Sequence, residues 1–308
     1  MERLFLLAIR LEESATGYWR IRMQDDQLVA FLQWALPHMD LLWPGYRKVR
    51  RQVSKRIARR IRALELADLE AYRQYLETHA QEWRVLDGFC RITISRFYRD
   101  RRVFDLIGQE VLPELAGLVK DRGEKQLRCW SAGCGAGEEP YSLVLTWTFR
   151  GAPAVSYIGL SITATDVDPA QIARAWSACY SPNSLKELPT GWRDRAFNLQ
   201  NGKYCLRPEY RSQVDFVVQD IRETTPSGPL HLILCRNLAF TYFAKELQRE
   251  IVKRMDASLI PGGMLVIGSH ESLPEIESVF SPCRPLFPIY RYTANDCRNS
   301  WSTTPETY

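Results

Sequence analysis

The spacing of apolar residues divides the chain into a helical N-terminal part and a longer part in which strands and helices alternate. Over residues 49–64, apolar side chains recur at intervals of four, four, four and three, which is one face of an α-helix. A second helical face follows over residues 68–76. We therefore predict a helical domain over residues 24–88, preceded by an N-terminal extension over residues 1–23.

From residue 103 onward, short apolar runs alternate with segments of helical period. The predicted strands are residues 126–131, 157–166, 214–219, 230–235 and 263–268, and the predicted helices are residues 103–122, 139–150, 169–179 and 244–259. Apolar strands joined by helices are typical of a parallel sheet that is buried on both faces. Residues 180–213 interrupt this alternation, and the turn at Gly202 predicts a small β-hairpin there. Residues 291–308 lack an apolar period and are expected to form a disordered tail.

Length and composition narrow the class of protein. A chain of 308 residues is long enough for one large or two modest domains, each with its own core. No apolar run approaches the ~20 residues that cross a bilayer, so we expect a cytoplasmic protein without membrane insertion, acting as a monomer. The eight cysteines include no C-x-x-C pair and are predicted to be reduced thiols. Three histidines, His38, His79 and His270, are isolated and predicted to be structural or peripheral, with His270 at the edge of the sheet where a pocket is expected. No metal site is indicated.

The positive charge of the chain is local. The net charge is +5, yet residues 47–62 alone hold nine basic and no acidic residues, so the remainder carries −4. Such a run is most often a solvated helix face, and the alternative is a docking face for an acidic protein surface. Nucleic acid is a less favoured partner, because no aromatic residues alternate with the basic ones.

The stretch C-W-S-A-G-C-G-A-G-E-E-P-Y-S at residues 129–142 raises the question of its ligand. Its glycines form G-x-G-x-G rather than the dinucleotide pattern G-x-G-x-x-G, and alone they indicate only a tight turn. Glu138 and Glu139 suit the N-terminus of the next helix and would repel a pyrophosphate. S-adenosylmethionine has a sulfonium, an ammonium and a ribose diol but no phosphate, so it fits this stretch better than NAD.

The second predicted strand ends in A-T-D-V-D-P, which contains two aspartates. Asp168 precedes Pro169 and is predicted to cap the next helix. Asp166 is the last residue of the strand, where its carboxylate can accept both ribose hydroxyls. It lies 29 residues after Gly137, whereas a dinucleotide fold places its acidic residue about 20 residues on.

Four motifs together resemble the CheR family of chemotaxis-receptor glutamate methyltransferases. They are S-R-F-Y-R-D, W-S-A-G-C-G-A-G-E-E-P-Y-S, A-T-D-V-D-P and L-I-L-C-R-N, in the family order, and the resemblance covers residues 25–290. It implies an α/β fold: a class I methyltransferase domain with a Rossmann-like, mostly parallel sheet over residues 89–290, after a helical N-terminal domain. It further implies a small antiparallel β subdomain inserted over residues 180–213, S-adenosylmethionine as cofactor and a chemoreceptor-like partner.

The resemblance also implies a set of site residues. The expected cofactor-binding residues are Thr93, Ser95, Arg99, Gly133, Glu138, Asp166, Asp220, Ile221, Arg236 and Asn237. Asp220 and Ile221 would flank the adenine. Arg99 and Tyr242 are the expected catalytic residues and would hold the carboxylate that accepts the methyl group. The alternative for Arg99 is a surface ion pair with Asp100 or Asp105.

The chain departs from the family pattern mainly where the methyl acceptor would bind. Thr93-Ile94-Ser95 stands for Asn-Leu-Thr, Tyr98 for a Phe, and His231 for an Asp. Tyr242 lies five residues after Asn237 rather than four. Either a bulge absorbs the extra residue, or Phe240 or Thr241 takes the place of the phenol. The alternative acceptors are therefore another protein or a small molecule, with nucleic acid less favoured.

Overall fold

The computed structural model describes residues 24–151, 157–275 and 279–293. The predicted N-terminal extension, residues 1–23, lies outside them. The chain divides into two compact units between Ile92 and Thr93. In the described ranges, no helix is both long and apolar enough to cross a membrane.

The first unit is helical, as the apolar spacing predicts. Its helices are α1 (Asp25–Ala35), α2 (Trp43–Tyr46), α3 (Arg50–Ala63), α4 (Leu69–Thr78) and α5 (Glu82–Cys90). The predicted stripe of α3 is buried at Val53, Ile57 and Ile61, and each such side chain contributes about 1.5–3 kcal/mol by leaving water. Helix α5 runs through the boundary predicted after residue 88, and the division falls at Ile92 instead.

Several basic residues of α3 have partners outside the run, although the run itself contains no acidic residue. Arg50 pairs with Asp25 at 2.8 Å, and Arg60 pairs with the buried Glu82 at 2.7 Å. Arg56 donates to two backbone carbonyl oxygens in and after α5, each at 2.7 Å. These contacts lie far apart in sequence, which is why charge counting along the chain misses them.

The second unit contains the sheet. Its strands are β1 (Gln126–Ala132), β2 (Gly159–Asp166), β3 (Cys179–Tyr180), β4 (Phe197–Gln200), β5 (Lys203–Leu206), β6 (Val214–Val218), β7 (Leu230–Cys235), β8 (Leu259–Ile267), β9 (Phe280–Pro282) and β10 (Ile289–Tyr292). Within the described residues, seven of them form one sheet in the order β6-β2-β1-β7-β8-β10-β9. The first five strands pair in parallel. Strand β10 pairs antiparallel with β8, and β9 pairs antiparallel with β10. This confirms the predicted class I methyltransferase fold.

Helices pack around these strands. They are α6 (Arg101–Leu106), α7 (Leu112–Asp121), α8 (Glu138–Thr146), α9 (Pro169–Ser177), α10 (Trp192–Ala196), α11 (Pro208–Arg211), α12 (Ala239–Tyr242) and α13 (Lys245–Ser258). A π-helical turn, Ile107–Val111, joins α6 to α7. The central strands β1, β7 and β8 bury most of their side chains, and β7 is buried at every position, from Leu230 to Cys235. In a strand covered on both faces, polar and apolar residues do not alternate. Its sequence is therefore a nearly continuous apolar run.

The segment after α9 forms a small antiparallel sheet in the order β3-β5-β4, as predicted for the insertion. The β4–β5 turn places Asn201 at φ 50° and Gly202 at φ 73°, typical of a tight hairpin. Cys179 lies directly opposite Cys205 on β3 and β5, and a disulfide joins them. The expectation that all cysteines are reduced is therefore wrong for this pair, because strand pairing brings together residues that are 26 apart in sequence. Cys297 lies outside the described residues.

The predicted disordered tail begins too early. Arg291 and Tyr292 belong to β10, and Tyr292 is buried against Phe280 of β9. The antiparallel pairing of these short strands is nonlocal, so no periodicity in the sequence announces it. Residues 294–308 lie outside the described residues.

Candidate active site

The candidate site lies where the parallel strands end. Strand order reverses beside β1, since β2 follows on one side and β7 on the other. Ligands of open α/β sheets bind at the carboxyl ends of strands at such a point. The glycine loop follows β1, Asp166 ends β2, and Arg236 and Asn237 follow β7. The predicted motifs thus meet at one edge of the sheet.

The glycine loop is fixed to the neighbouring strand by its backbone. The N–H groups of Gly133 and Cys134 both donate to the carbonyl oxygen of Thr165, at 2.8 and 2.9 Å. Gly133 has φ 69°, and a Cβ added there would lie 2.5 Å from Cδ2 of Leu238. Both the conformation and the space therefore require glycine at this position.

Asp166 connects the loop to the end of β2. Its Oδ2 accepts from the N–H of Gly135 and its Oδ1 from the N–H of Asp168, each at 2.9 Å. Carboxylate oxygens accept more than one hydrogen bond each, so these contacts leave room for a diol. The predicted capping role of Asp168 is confirmed, because its side chain accepts from the N–H of Ala170 at 2.9 Å and Pro169 follows at the first helical position.

The two glutamates that open α8 differ sharply. Glu139 accepts from the hydroxyl of Ser131 at 2.9 Å and pairs with Arg236 at 3.1 Å. Glu138 is only 3% exposed, and its Oε2 has no hydrogen-bond partner in the described part of the chain. Burial raises the pKa of Glu138, and the hydroxyl of Ser95 and the charge of Arg174 oppose this shift.

These residues fit S-adenosylmethionine. A buried carboxylate oxygen without a donor is costly unless a ligand supplies one, and an ammonium group does so. A Cβ added to Gly135 would meet only Ser95, at 3.9 Å, so the loop leaves space above its backbone. The donor set is acidic, as a cationic ligand requires. Glu138, Asp166, Gly135 and Ser95 would hold this group.

Arg99 lies between two residues in the left-handed region. Tyr98 has φ 59° and Asp100 has φ 61°, and such conformations of non-glycine residues cost on the order of 1–3 kcal/mol each. Hydrogen bonds offset this strain: the N–H of Tyr98 donates to Oγ of Ser142 at 2.8 Å, and Arg236 donates to the carbonyl oxygen of Arg99 at 2.9 Å. The position of Arg99 is therefore set before any ligand arrives.

The guanidinium of Arg99 is held by neutral oxygens. It donates to the carbonyl oxygen of Ile94 at 2.6 Å and to Oδ1 of Asn237 at 3.1 Å. Asp100 and Asp105 pair with other arginines instead. The alternative of a surface ion pair with either carboxylate is therefore wrong for Arg99.

Arg236 is buried, with a side chain that is 1% exposed. It pairs with Asp100 at 2.7 Å and with Glu139 at 3.1 Å, and its guanidinium lies 5.1 Å from the ring of Phe104. With so little exposure, Arg236 supports the Arg99 segment from inside rather than facing a ligand directly.

The turn after β7 has irregular backbone conformations before Tyr242. Asn237 has φ 56°, and Leu238 has φ −133° and ψ −94°, before α12 begins at Ala239. Phe240 is buried in the interior. Burial raises the pKa of Tyr242, Arg99 opposes the shift and Glu271 adds to it. The phenol thus lies within electrostatic reach of Arg99, although Tyr242 stands one place later than in the family pattern.

Glu271 is a part of the site that the sequence does not reveal. Its Oε2 accepts from the N–H groups of Asn237 and Gly268 at 2.8 and 2.6 Å, and its Oε1 accepts from the hydroxyl of Thr241. Its neighbour His270, which the sequence places at the same edge of the sheet, is exposed. The segment G-S-H-E-S-L matches no motif, so only the place of Glu271 after a buried strand hints at a role.

The segment expected near the adenine is also held firmly. Asp220 pairs with Arg222 at 2.7 Å, and Ile221 is 6% exposed. Arg254 of α13 donates to the carbonyl oxygens of Ile221, Arg222 and Glu223. Thr93, the first residue of the second unit, is exposed, and no contact of its side chain within the described residues ties it to the site.

Comparisons with known proteins agree with this geometry. A family model described as CheR methyltransferase, SAM binding domain, matches residues 93–285. Chemotaxis protein methyltransferase 2 of Vibrio cholerae is 30% identical over 234 residues, which cover 74% of this chain and 80% of that protein. A chemotaxis protein methyltransferase of Listeria innocua is 35% identical over 192 residues, or 61% of this chain and 70% of that one. The chain belongs to the CheR methyltransferase family.

Membership of the CheR family makes this chain an S-adenosylmethionine-dependent methyltransferase. The matched region starts at Thr93, where the second unit also starts. An uncharacterised 104.1 kDa protein of Rhodobacter capsulatus is 31% identical over 74% of this chain, but the match covers only 24% of that protein. This chain therefore spans about a quarter of the length of that relative.

Proposed function

We propose that this CheR-family enzyme methylates side-chain carboxylates of glutamate residues in a chemoreceptor-like protein. The names of the Vibrio and Listeria relatives support a role in chemotaxis. The observation that carries the choice of acceptor is Arg99, a preset cation. In the part of the chain that the structure describes, its hydrogen-bond partners are one carbonyl and one amide oxygen. A cation held this way attracts an incoming carboxylate by charge-assisted hydrogen bonds.

The chemistry needs little from the protein beyond alignment. Bound S-adenosylmethionine supplies a methyl group activated by its sulfonium. A glutamate side chain with a pKa near 4.3 is ionised at neutral pH, so no general base has to remove a proton. Arg99 orients one carboxylate oxygen. Tyr242, whose raised pKa keeps its proton at neutral pH, donates to the other. Such positioning can supply much of the rate enhancement.

The test measures which molecule receives the methyl group and whether the product is an ester. The enzyme is incubated with methyl-labelled S-adenosylmethionine and cytoplasmic fragments of chemoreceptors. Carboxyl methyl esters release volatile methanol in alkali, so alkali-labile label in the receptor is expected, and it should disappear when the receptor glutamates are changed to glutamine. Alkali-stable label, or label only in small molecules or nucleic acid, would replace this acceptor with another.

A pair of arginine variants ties the test to the site. Arg99→Gln should lower methyl transfer roughly 10- to 100-fold, as expected for loss of a charge-assisted hydrogen bond. Arg102→Gln is the matched control, because Arg102 is exposed on α6. Equal rates for both variants would exclude Arg99 as the acceptor's partner.

We further propose that the exposed basic side of α3 docks an acidic surface of the protein substrate. Six basic residues of the run remain exposed without an ion pair in the described residues: Arg47, Lys48, Arg51, Lys55, Arg59 and Arg62. Arg51→Glu combined with Arg59→Glu should raise the KM for the protein substrate and leave cofactor affinity unchanged. Arg84→Glu, on the exposed side of α5, is the control. If the KM and its salt dependence do not change, the face is only solvated, and preferential binding of duplex DNA would favour a nucleic-acid partner.

We propose that the enzyme acts as a cytoplasmic monomer. A soluble methyl donor made in the cytoplasm supports the location, while the Cys179–Cys205 pair argues for testing it. Sedimentation of the purified chain and fractionation of cells check both points. A thiol titration under denaturing, nonreducing conditions would show whether that pair is oxidised in the cell.

A further inference from the structure

Glu271 brings together two segments that are distant in sequence. One oxygen of its carboxylate accepts from the backbone N–H groups of Asn237 and Gly268, at 2.8 and 2.6 Å. The other accepts from the hydroxyl of Thr241. An ionised carboxylate is an acceptor only, so it satisfies three donors at once, which an apolar or basic side chain of similar size cannot do.

The turn that Glu271 holds contacts Arg99 and leads into Tyr242, the two groups expected to meet the methyl acceptor. Asn237, in the left-handed conformation at φ 56°, has its N–H bound by Glu271 and its side-chain oxygen bound by Arg99. Thr241, the residue before Tyr242, is fixed by the same carboxylate. A left-handed conformation of this kind persists only where the surroundings determine it.

The end of β8 approaches this turn closely. A Cβ added to Gly268 would lie 2.7 Å from Oε2 of Glu271 and 3.1 Å from the backbone nitrogen of Asn237. The carboxylate therefore sits in a narrow space between strand end and turn. Its loss would leave backbone donors of Asn237 and Gly268 unsatisfied, and the turn would relax.

We propose that Glu271 is a positioning residue for methyl transfer, acting through Asn237 on Arg99 and through Thr241 on Tyr242. The inference rests on the proposed function, since it concerns the groups that bind the acceptor. It predicts a larger effect on the acceptor than on the cofactor, because Arg99 and Tyr242 are expected to bind the acceptor, and Glu138 and Asp166 bind none of the atoms that Glu271 holds.

Two substitutions separate positioning from charge. Glu271→Met keeps the size but removes all three hydrogen bonds that the carboxylate accepts. It should lower kcat/KM for the methyl acceptor roughly 10- to 100-fold, with a much smaller change in cofactor affinity. Glu271→Gln keeps an oxygen for the two N–H groups and should recover most of that loss. Glu275→Gln is the matched control, since Glu275 is exposed on the same segment. Native activity of Glu271→Met would overturn the proposal, as would a loss confined to cofactor binding.

A double-mutant cycle with Tyr242→Phe tests whether Glu271 acts through the phenol. If it does, removing the hydroxyl costs less in the Glu271→Met background than in the native enzyme. A merely structural role for Glu271 leaves the cost of Tyr242→Phe the same in both, and that result would overturn the proposal.

A measurement without any acceptor separates this proposal from the choice of substrate. Hydrogen exchange of the peptide covering residues 235–243 should be faster in Glu271→Met than in the native protein and in Glu275→Gln. Unchanged exchange contradicts the role of Glu271 in the turn. Faster exchange together with no methylation of receptor glutamates by the native enzyme contradicts only the proposed acceptor. If Glu271→Met does not fold, the same comparison is made with Thr241→Val, which removes one of the three contacts.

Discussion

Glu138 and Glu139 are neighbours in the sequence, but α8 turns their side chains into different surroundings. Successive residues of a helix point about 100° apart, so one glutamate reaches Ser131 and Arg236 while the other does not. Glu138 keeps a buried oxygen without a partner among the described residues. From the sequence, both suit a helix N-terminus equally well, and only the family resemblance singles out Glu138.

The surroundings of Glu138 predict how cofactor binding depends on pH. Burial raises its pKa in the free protein, and a cationic ligand binds only the ionised form. The affinity for S-adenosylmethionine should therefore fall as the pH is lowered through this raised pKa. Glu138→Gln should bind more weakly above this pKa and lose most of this pH dependence. Calorimetric titrations at several pH values measure both effects.

Glu250→Gln is the control for that experiment, because Glu250 is exposed on α13. Its affinities should follow those of the native protein. A Glu138→Gln protein with the native affinity and the native slope would remove Glu138 from the cofactor site.

Tyr242 gives a second prediction at this scale. If its phenol donates to the acceptor carboxylate, Tyr242→Phe loses roughly 1.5–3 kcal/mol of transition-state stabilisation, or about a 10- to 100-fold fall in kcat/KM. Cofactor affinity should not change. Steady-state kinetics with the true acceptor measure the loss, and Tyr157→Phe is the control, since that ring is 58% exposed. Native turnover of Tyr242→Phe would mean that the acceptor meets a different donor.

At the scale of elements, the sequence is most informative where a strand is buried on both faces. Strand β7 stands out as an apolar run, and the ends of β1, β2 and β7 carry motif residues. The pairing of β9 with β10, and of Cys179 with Cys205, depends on chain segments that meet only after folding. Short antiparallel strands of mixed polarity do not form an apolar run that could be recognised in the sequence. The fold was therefore predictable in its parallel part and not at its antiparallel edge.

The glycine loop yields a prediction about packing between elements. In Gly133→Ala, the methyl group meets Leu238 at 2.5 Å and the backbone keeps a left-handed φ of 69°. We expect a loss of about 1–2 kcal/mol from the conformation, with a further loss because Leu238 must move. Denaturant unfolding measures the total. Adding Leu238→Ala should recover the steric part only.

The control for Gly133→Ala is Gly191→Ala. Gly191 has φ 81° with no atom within 4 Å of an added Cβ, so it reports the cost of the conformation alone. If the two variants lose the same free energy of unfolding, Leu238 moves aside without an energetic cost. The glycine loop and the turn after β7 would then not be tightly packed against each other.

For the molecule as a whole, the site depends on two kinds of residue, and only one kind is predictable. Asp166 and Glu138 sit at strand ends and helix starts, where sequence pattern and chemistry agree. Arg236 and Glu271 act on other protein groups, through contacts across 97 and 34 residues respectively. Their roles follow from three-dimensional packing, which is why the sequence does not reveal that Arg236 supports the Arg99 segment and passes over Glu271.

The opposite end of the sheet carries a buried histidine that should make global stability depend on pH. His231 has no exposed surface, its Nδ1 accepts from the backbone N–H of Arg128 at 3.1 Å, and its Nε2 lies 3.3 Å from Glu124. Burial lowers its pKa, and the nearby Glu124 only partly opposes this. In the unfolded chain the pKa returns to about 6.5.

Protonation of His231 therefore favours the unfolded chain. Its contribution to stability is fully present above about pH 6.5 and is lost as the pH falls from there towards the lower pKa of the folded state, at up to about 1.4 kcal/mol per pH unit. His231→Asn retains an oxygen for the N–H of Arg128 but does not titrate, so its unfolding free energy should fall less over the same window. Urea unfolding at several pH values compares it with the native protein and with His270→Asn, whose ring is exposed. Parallel pH profiles for all three proteins would show that His231 is not what links folding to pH.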